Sequence, residues 1–186
     1  MIDPLAVPLS LYVHLPWCTR KCPYCDFNSH EGFSASLQQP YVEALLSDFD
    51  SQHGWWSNRP IASIFIGGGT PSLLSPTFYR QLFDGIRERL AFSPSIEITL
   101  EANPGTVEHD RFAAYREAGI NRLSLGVQSF QAPQLEVLGR IHSGEAAQAR
   151  PAKRPATAAA AADSSDEEGA HKTSAKKPKA SASKKT

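Results

Sequence analysis

Four short apolar runs, beginning at Leu11, Ile61, Ile96 and Leu123, alternate with amphipathic segments, and few folds satisfy that order. Leu11-Tyr12-Val13-His14-Leu15 reads as the first strand. From Tyr41 to Phe49 the apolar residues Val42, Leu45, Leu46 and Phe49 fall at i, i+3, i+4 and i+7, which is one face of a helix, and Pro40 suits its first turn. Ile61 to Ile66 is a short apolar run stopped by Gly67-Gly68-Gly69-Thr70-Pro71, the pattern of a buried strand ending in a loop. Ser75-Pro76 supplies an N-cap and a first-turn proline for a helix whose apolar face is Phe78, Leu82, Phe83, Ile86 and Leu90. Ile96 to Leu100 is the third strand, Thr106 is placed to cap a helix through about Ala118, Gly119 is placed to end it, and Leu123 to Val127 is the fourth strand. Strands alternating with helices in this way predict an α/β fold with a parallel sheet of βα units, a partial or complete barrel. An open α/β sheet is the competing architecture.

The 186 residues carry a formal net charge of zero, which argues against a nucleic-acid or membrane role for the whole chain, yet the charge is unevenly placed. Pro151 to Thr186 holds eight Lys or Arg against four Asp or Glu, so this stretch is near +4 and residues 1–150 near −4. It contains no aromatic or large aliphatic residue and cannot bury a core. Residues 1–149 are therefore expected to fold and residues 150–186 to form a disordered basic tail. No run of about 18 apolar residues offers a membrane span, and Met-Ile-Asp-Pro lacks the basic and apolar regions of a signal peptide, so a cytoplasmic body is expected. The three cysteines lie within eight residues of one another, an odd number at a spacing that suits a shared ligand in a reducing compartment better than a disulfide framework.

In Cys18-Thr-Arg-Lys-Cys22-Pro-Tyr-Cys25 the C-x3-C-x2-C spacing offers three thiolates, whereas a four-iron cubane needs a ligand on each iron. One iron of a 4Fe-4S cluster is left open. An open iron can chelate the amino and carboxylate groups of S-adenosylmethionine, placing the sulfonium where an electron from the reduced cluster can enter. The plainer reading is a structural zinc site completed by His14 or His30. Structural zinc usually takes paired cysteines from two separate places, and no second pair exists here.

The neighbouring motifs separate the two. Tyr12-Val-His14-Leu-Pro16-Trp17-Cys18 through Cys25-Asp26-Phe27-Asn28, then Gly67-Gly68-Gly69-Thr70-Pro71, Glu101-Ala-Asn103-Pro104-Gly105, Gly126-Val127-Gln128-Ser129-Phe130 and Leu138-Gly139-Arg140-Ile141-His142, in that order, closely resemble one group. It is the radical-SAM group of HemW-type haem chaperones and oxygen-independent coproporphyrinogen III oxidases, and the resemblance covers about residues 8 to 144. It implies a radical-SAM partial (β/α) barrel, truncated here to about four of six βα units, with the 4Fe-4S cluster on Cys18, Cys22 and Cys25. It further implies that Gly68, Gly69 and Thr70 hold the methionine end of S-adenosylmethionine, that Glu101 contacts its ribose, and that Tyr12 lies near its sulfonium and carboxylate. Tyr24, Gln128 and Arg140 match positions that serve a second S-adenosylmethionine in the oxidase. His14 and His142 are read as hydrogen-bonded framework, and the pair Trp55-Trp56 as packing at a helix end or a surface contact.

The oxidase typically has a further cysteine two residues after the third, where this chain has Phe27, and that favours the chaperone branch. The resemblance spans a chaperone and an enzyme, so it points to cofactors and leaves the reaction open. Haem or another tetrapyrrole, and a haem-accepting protein, are the partners it implies, although the chaperones' His-Asn-x-x-Tyr-Trp haem segment is absent from this chain. A sheet ending at its fourth strand would expose an edge and apolar faces, so a partner-dependent or aggregation-prone chain is expected. The tail's Lys153-Arg154-Pro155, Lys176-Lys177-Pro178-Lys179 and Lys184-Lys185 suggest the alternative, a non-enzymatic nuclear or nucleic-acid-binding protein acting through its basic tail.

Overall fold

The computed structural model describes residues 6–56, 59–104 and 106–148, with backbone alone over 106–110. Strands β1 (Leu9–Leu15), β2 (Ile61–Gly68), β3 (Phe92–Ala102) and β4 (Arg122–Leu125) form one sheet in that order, every neighbouring pair parallel. Helix α1 (Gln38–Ser51) and the single turn α2 (His53–Trp56) connect β1 to β2, α3 (Pro76–Arg87) connects β2 to β3, and α4 (Thr106–Glu117) connects β3 to β4. Two short helices, α5 (Ala132–Val137) and α6 (Gly144–Gln148), follow β4. Each strand is added beside its predecessor with no reversal of order. That is the connectivity of a barrel wall, and the switch point of an open doubly wound sheet is missing among the described residues.

Side-chain alternation divides the sheet into two unlike faces. Val13, Ile66, Leu100 and Leu123 are successive register partners across the four strands, and the row continues a core with the helices. One residue earlier in each strand the row is Tyr12, Phe65, Thr99 and Arg122, and it points the other way. Phe65 corrects the expectation of a strand buried on both faces, for its ring is 36% exposed on the open side. There Arg122 Nη1 donates to Thr99 Oγ1 at 3.3 Å and to Glu97 Oε1 at 3.5 Å, and Ser63 Oγ donates to Ser10 Oγ at 2.8 Å.

The helix face read from the sequence is the one buried. Phe78, Leu82, Phe83, Ile86 and Leu90 are all in the core, each burial stabilising by about 1.5–3 kcal/mol for a fully covered side chain. Ser75 Oγ accepts from the Phe78 amide at 3.2 Å, with Pro76 at the first helical position. Helix α4 begins at Thr106 itself, whose side chain lies outside the described atoms, so the expected cap is not described. Its end is a Schellman turn: Gly119 has φ +110°, its amide bonds Arg116 O at 3.0 Å and the Ile120 amide bonds Tyr115 O at 3.0 Å.

Several boundaries differ from the sequence reading: β1 starts at Leu9 and not at Leu11, and β2 runs past Ile66 to Gly68. Helix α1 starts at Gln38, three residues before Tyr41, and β3 starts at Phe92, before Pro94, because a register shift between Ile61 and Ser63 accommodates the proline. Strand β4 stops at Leu125 and not at Val127, since Gln128 turns the chain with φ +68°. The expected disorder of 150–186 falls outside the described residues.

Trp55 and Trp56, equivalent in the sequence, part company. Trp56 is 7% exposed, stacks on Phe49 at 4.7 Å and donates Nε1–H to Phe49 O at 3.0 Å, while Trp55 is 82% exposed. Chemical denaturation is expected to show a loss of about 3–5 kcal/mol for Trp56→Ala and a change within about 0.5 kcal/mol for Trp55→Ala. At the β4 end, Leu125, Phe130, Val137 and Ile141 are exposed by 41% or more beside a strand with no outer neighbour among the described residues. Light scattering should therefore show self-association at micromolar concentration, and a monodisperse, cooperatively unfolding monomer would refute it.

Candidate functional site

Parallel strands send their C-terminal ends to one side, and the loops leaving those ends enclose a cleft of about 340 Å³. Ten of the eleven residues singled out from the sequence line it: Cys18, Cys22 and Cys25, then Tyr24, Gly68, Gly69, Thr70, Glu101, Gln128 and Arg140. Tyr12 is outside the lining. It stands on the open face of the sheet, stacked on Phe65 at 6.3 Å and close enough to Glu101 for the carboxylate to raise its phenol further after burial has done so.

The cysteine loop is clamped at its neck. Cys18 N donates to His30 O at 2.8 Å and His30 N to Pro16 O at 2.6 Å, while Trp17 packs edge-on to Tyr41 at 4.7 Å. Lys21 braces the interior, its amide bonding Glu31 Oε1 at 2.8 Å and its ammonium donating to Ser29 O at 3.3 Å. The glycine loop lies directly against this neck, with Gly69 N on Leu15 O and Thr70 N on Trp17 O, both at 2.7 Å. A Cβ on Gly69 would meet Trp17 O at 2.4 Å and Cys18 Sγ at 3.0 Å, and Gly68 has φ +113°. Only glycine permits that approach.

Beneath the same loop, Tyr79 donates its hydroxyl to Pro71 O at 2.6 Å, and Tyr115 donates to Ser72 O at 2.8 Å and Leu74 O at 2.9 Å. The sequence reading assigned neither tyrosine to the site, and helical spacing alone marks them only as core. Asn103 was likewise without a role, although it stands in the motif quoted for Glu101. It donates Nδ2–H to Thr70 Oγ1 at 3.4 Å and accepts from Arg140 Nη2 at 2.6 Å.

Burial raises the Glu101 carboxyl above its ordinary value, and a hydrogen bond from the Gly68 amide partly offsets this. Tyr24 sits by Cys22 and Arg140. Burial is the main cause of its raised phenol, with Arg140 opposing and Cys22 adding. Both histidines serve as framework: His14 Nε2 bonds Asn28 O at 2.8 Å with Nδ1 facing the Tyr12 hydroxyl at 3.3 Å, and His142 Nε2 bonds Val127 O at 3.0 Å.

The donor set separates the two metal readings. His14, one of the two residues that could complete a zinc site, has both ring nitrogens engaged by Tyr12 and Asn28. A four-iron cluster asks for three sulfurs around one mouth, each for its own iron, and the three free cysteines line one cleft whose charged neighbour at Cys22 is the cation Arg140. These residues fit the cluster. Gly69→Ala is expected to destabilise the chain by about 1–3 kcal/mol through overpacking at the loop neck, whereas Gly54→Ala, with open space around it, should be neutral or stabilising in the same denaturation assay.

Comparison with known proteins agrees in extent with this architecture. Residues 12–149 match the model of the Radical SAM superfamily. The chain is 54% identical over 140 residues to "Heme chaperone HemW" of Escherichia coli, covering 75% of this chain and 37% of that protein. It is 51% identical over 144 residues to "Heme chaperone HemW" of Haemophilus influenzae, covering 75% and 38%. A solved structure described as coproporphyrinogen III oxidase (HemN) from Escherichia coli, a radical SAM enzyme, superposes with a TM-score of 0.67 at 31% identity, over 77% of this chain and 34% of that one. The chain thus spans little more than a third of the length of these relatives. Nothing in the comparisons supports a nuclear or nucleic-acid-binding protein, and among the described residues no helix is long and apolar enough to cross a membrane. From its parallel sheet, its strand-end cleft and a match over most of its length, the chain belongs to the Radical SAM superfamily.

Proposed function

We propose that this chain is the cofactor-binding part of a HemW-type haem-handling protein, holding a 4Fe-4S cluster on Cys18, Cys22 and Cys25 and S-adenosylmethionine beside it. The observation that carries this reading is the convergence of five motifs, scattered from Cys18 to Arg140, on one cleft at the strand ends. In this reading Gly68, Gly69 and Thr70 take the methionine end through close backbone approach, and Glu101 accepts from the ribose hydroxyls. Tyr12, beside Glu101, lies near the sulfonium and carboxylate in this reading. Tyr24, Gln128 and Arg140 line the same cleft, at the positions that match a second S-adenosylmethionine in the oxidase. When bound, cluster and cofactor together supply a one-electron reductive cleavage of the sulfonium's S–C bond.

The protein's own part is to orient the cofactor and keep the cleft short of water, which the buried Thr70 and Pro71 favour. Haem or a related tetrapyrrole, a haem-accepting protein and a cytoplasmic setting belong to the same reading, and the haem part is supported by relatives named as haem chaperones. The motifs present account for the cofactor and not for the haem.

Anaerobic reconstitution with iron and sulfide tests the reading. A brown chain should form, its reduced form should convert S-adenosylmethionine to deoxyadenosine, and Cys22→Ala should lose the colour. A colourless product from the unaltered chain would overturn the proposal. Glu101 adds a pH-dependent check. A carboxyl raised by the fold costs stability as pH climbs from the ordinary value of 4.5 through the raised one, because the folded state disfavours the charge. Thermal melts of Glu101→Gln should match the unaltered chain below that window and exceed it above, while S-adenosylmethionine binding weakens.

A further inference from the structure

Arg140 makes contacts that a side chain waiting for a ligand would not need. Its Nη2 donates to Asn103 Oδ1 at 2.6 Å and to Gly126 O at 2.5 Å, and its Nη1 donates to Cys22 Sγ at 3.5 Å. One guanidinium thus joins the loop after β1 to the ends of β3 and β4. Asn103 carries the connection onward, donating to Thr70 Oγ1 at 3.4 Å, so the loop after β2 is attached as well. Arg140 is itself placed by a turn, for Gly139 has φ +66° and the Arg140 amide bonds Leu135 O at 2.8 Å. Its Nε is buried without a hydrogen-bond partner, so the guanidinium is held through its two terminal nitrogens.

We propose that Arg140 is a positioning residue: it latches the cysteine loop to the strand ends that hold the cofactor, and it sets a fixed positive charge against the Cys22 sulfur. The inference rests on the reading that the cysteines carry a cluster. It reassigns Arg140 from a direct contact with cofactor to a group acting through Cys22, Asn103 and Gly126. The planar fork is essential, since a lysine ammonium supplies the charge but cannot span three acceptors in different directions. A cation beside a cluster sulfur stabilises the reduced, more negative state, so its removal makes the cluster harder to reduce.

The test uses the full chain with Arg140→Met and Arg140→Lys, read by backbone hydrogen exchange on the iron-free protein and by the midpoint potential of the reconstituted cluster. In Arg140→Met, exchange over 18–25 and 124–128 should accelerate by roughly tenfold or more, the size expected for losing charge-assisted hydrogen bonds, and the potential should move negative. Arg140→Lys should recover most of the potential and little of the exchange protection. Unchanged exchange in Arg140→Met overturns the latch. An unmoved potential accompanied only by weaker S-adenosylmethionine binding makes Arg140 a cofactor ligand and also overturns it. Should the unaltered chain take up no iron, the cluster reading fails, and exchange on the iron-free chain still decides the latch.

Discussion

The backbone ladder joining β1 to β4 in parallel is the constraint on which the rest depends. Parallel pairing requires a crossover after each strand, and here the crossovers are α1 with α2, α3 and α4. It also places every C-terminal strand end on one side, so loops far apart in sequence become neighbours. With the register aligned, Val13, Ile66, Leu100 and Leu123 form a continuous apolar row for the helices, and Tyr12, Phe65, Thr99 and Arg122 form the facing row. A slip of one residue in any strand would exchange the two faces. In the second row Tyr12 stacks on Phe65, Thr99 is buried and Arg122 pairs with Glu97, where a closed barrel would have packed branched side chains.

The site is built on this ladder by close backbone contact more than by side-chain reach. Gly69 and Thr70 bond Leu15 O and Trp17 O, so the loop after β2 is sewn onto the start of the cysteine loop. Two buried tyrosines from α3 and α4, Tyr79 and Tyr115, hold the other flank of that loop by its carbonyls. The helices therefore do more than cover the sheet. They fix the height at which Thr70 meets Asn103. Within this frame the site carries two local costs: Glu101 is held where its charge is disfavoured, and Gln128 occupies a left-handed conformation that side chains seldom adopt. Costs of that kind gather where geometry serves a ligand.

Much of this was legible beforehand, for reasons that differ from residue to residue. The face of α3 could be read because helical periodicity and burial are the same fact for an amphipathic segment, and Ser75-Pro76 could be read because capping is decided by adjacent residues. The exposure of Phe65 is not legible in that way, because an apolar strand residue does not reveal whether anything covers its face. Trp55 and Trp56 are identical in composition and neighbours in sequence, and only the direction of the last turn of chain buries one on Phe49. Asn103, Tyr79 and Tyr115 went without roles because each acts on a backbone carbonyl or hydroxyl presented by a distant loop.

The sequence by itself determined the alternation of strand and helix, the cysteine triplet and the order of the motifs, since these rest on interactions within a few residues or on patterns carried whole. Only the tertiary structure decided that the motifs share one cleft, that Tyr12 stands beside its lining, and that Arg140 is already bound to Cys22, Asn103 and Gly126. The reason is physical: a local pattern sets the direction of a chain segment, but contacts across a hundred residues exist only once the sheet has brought its strand ends together.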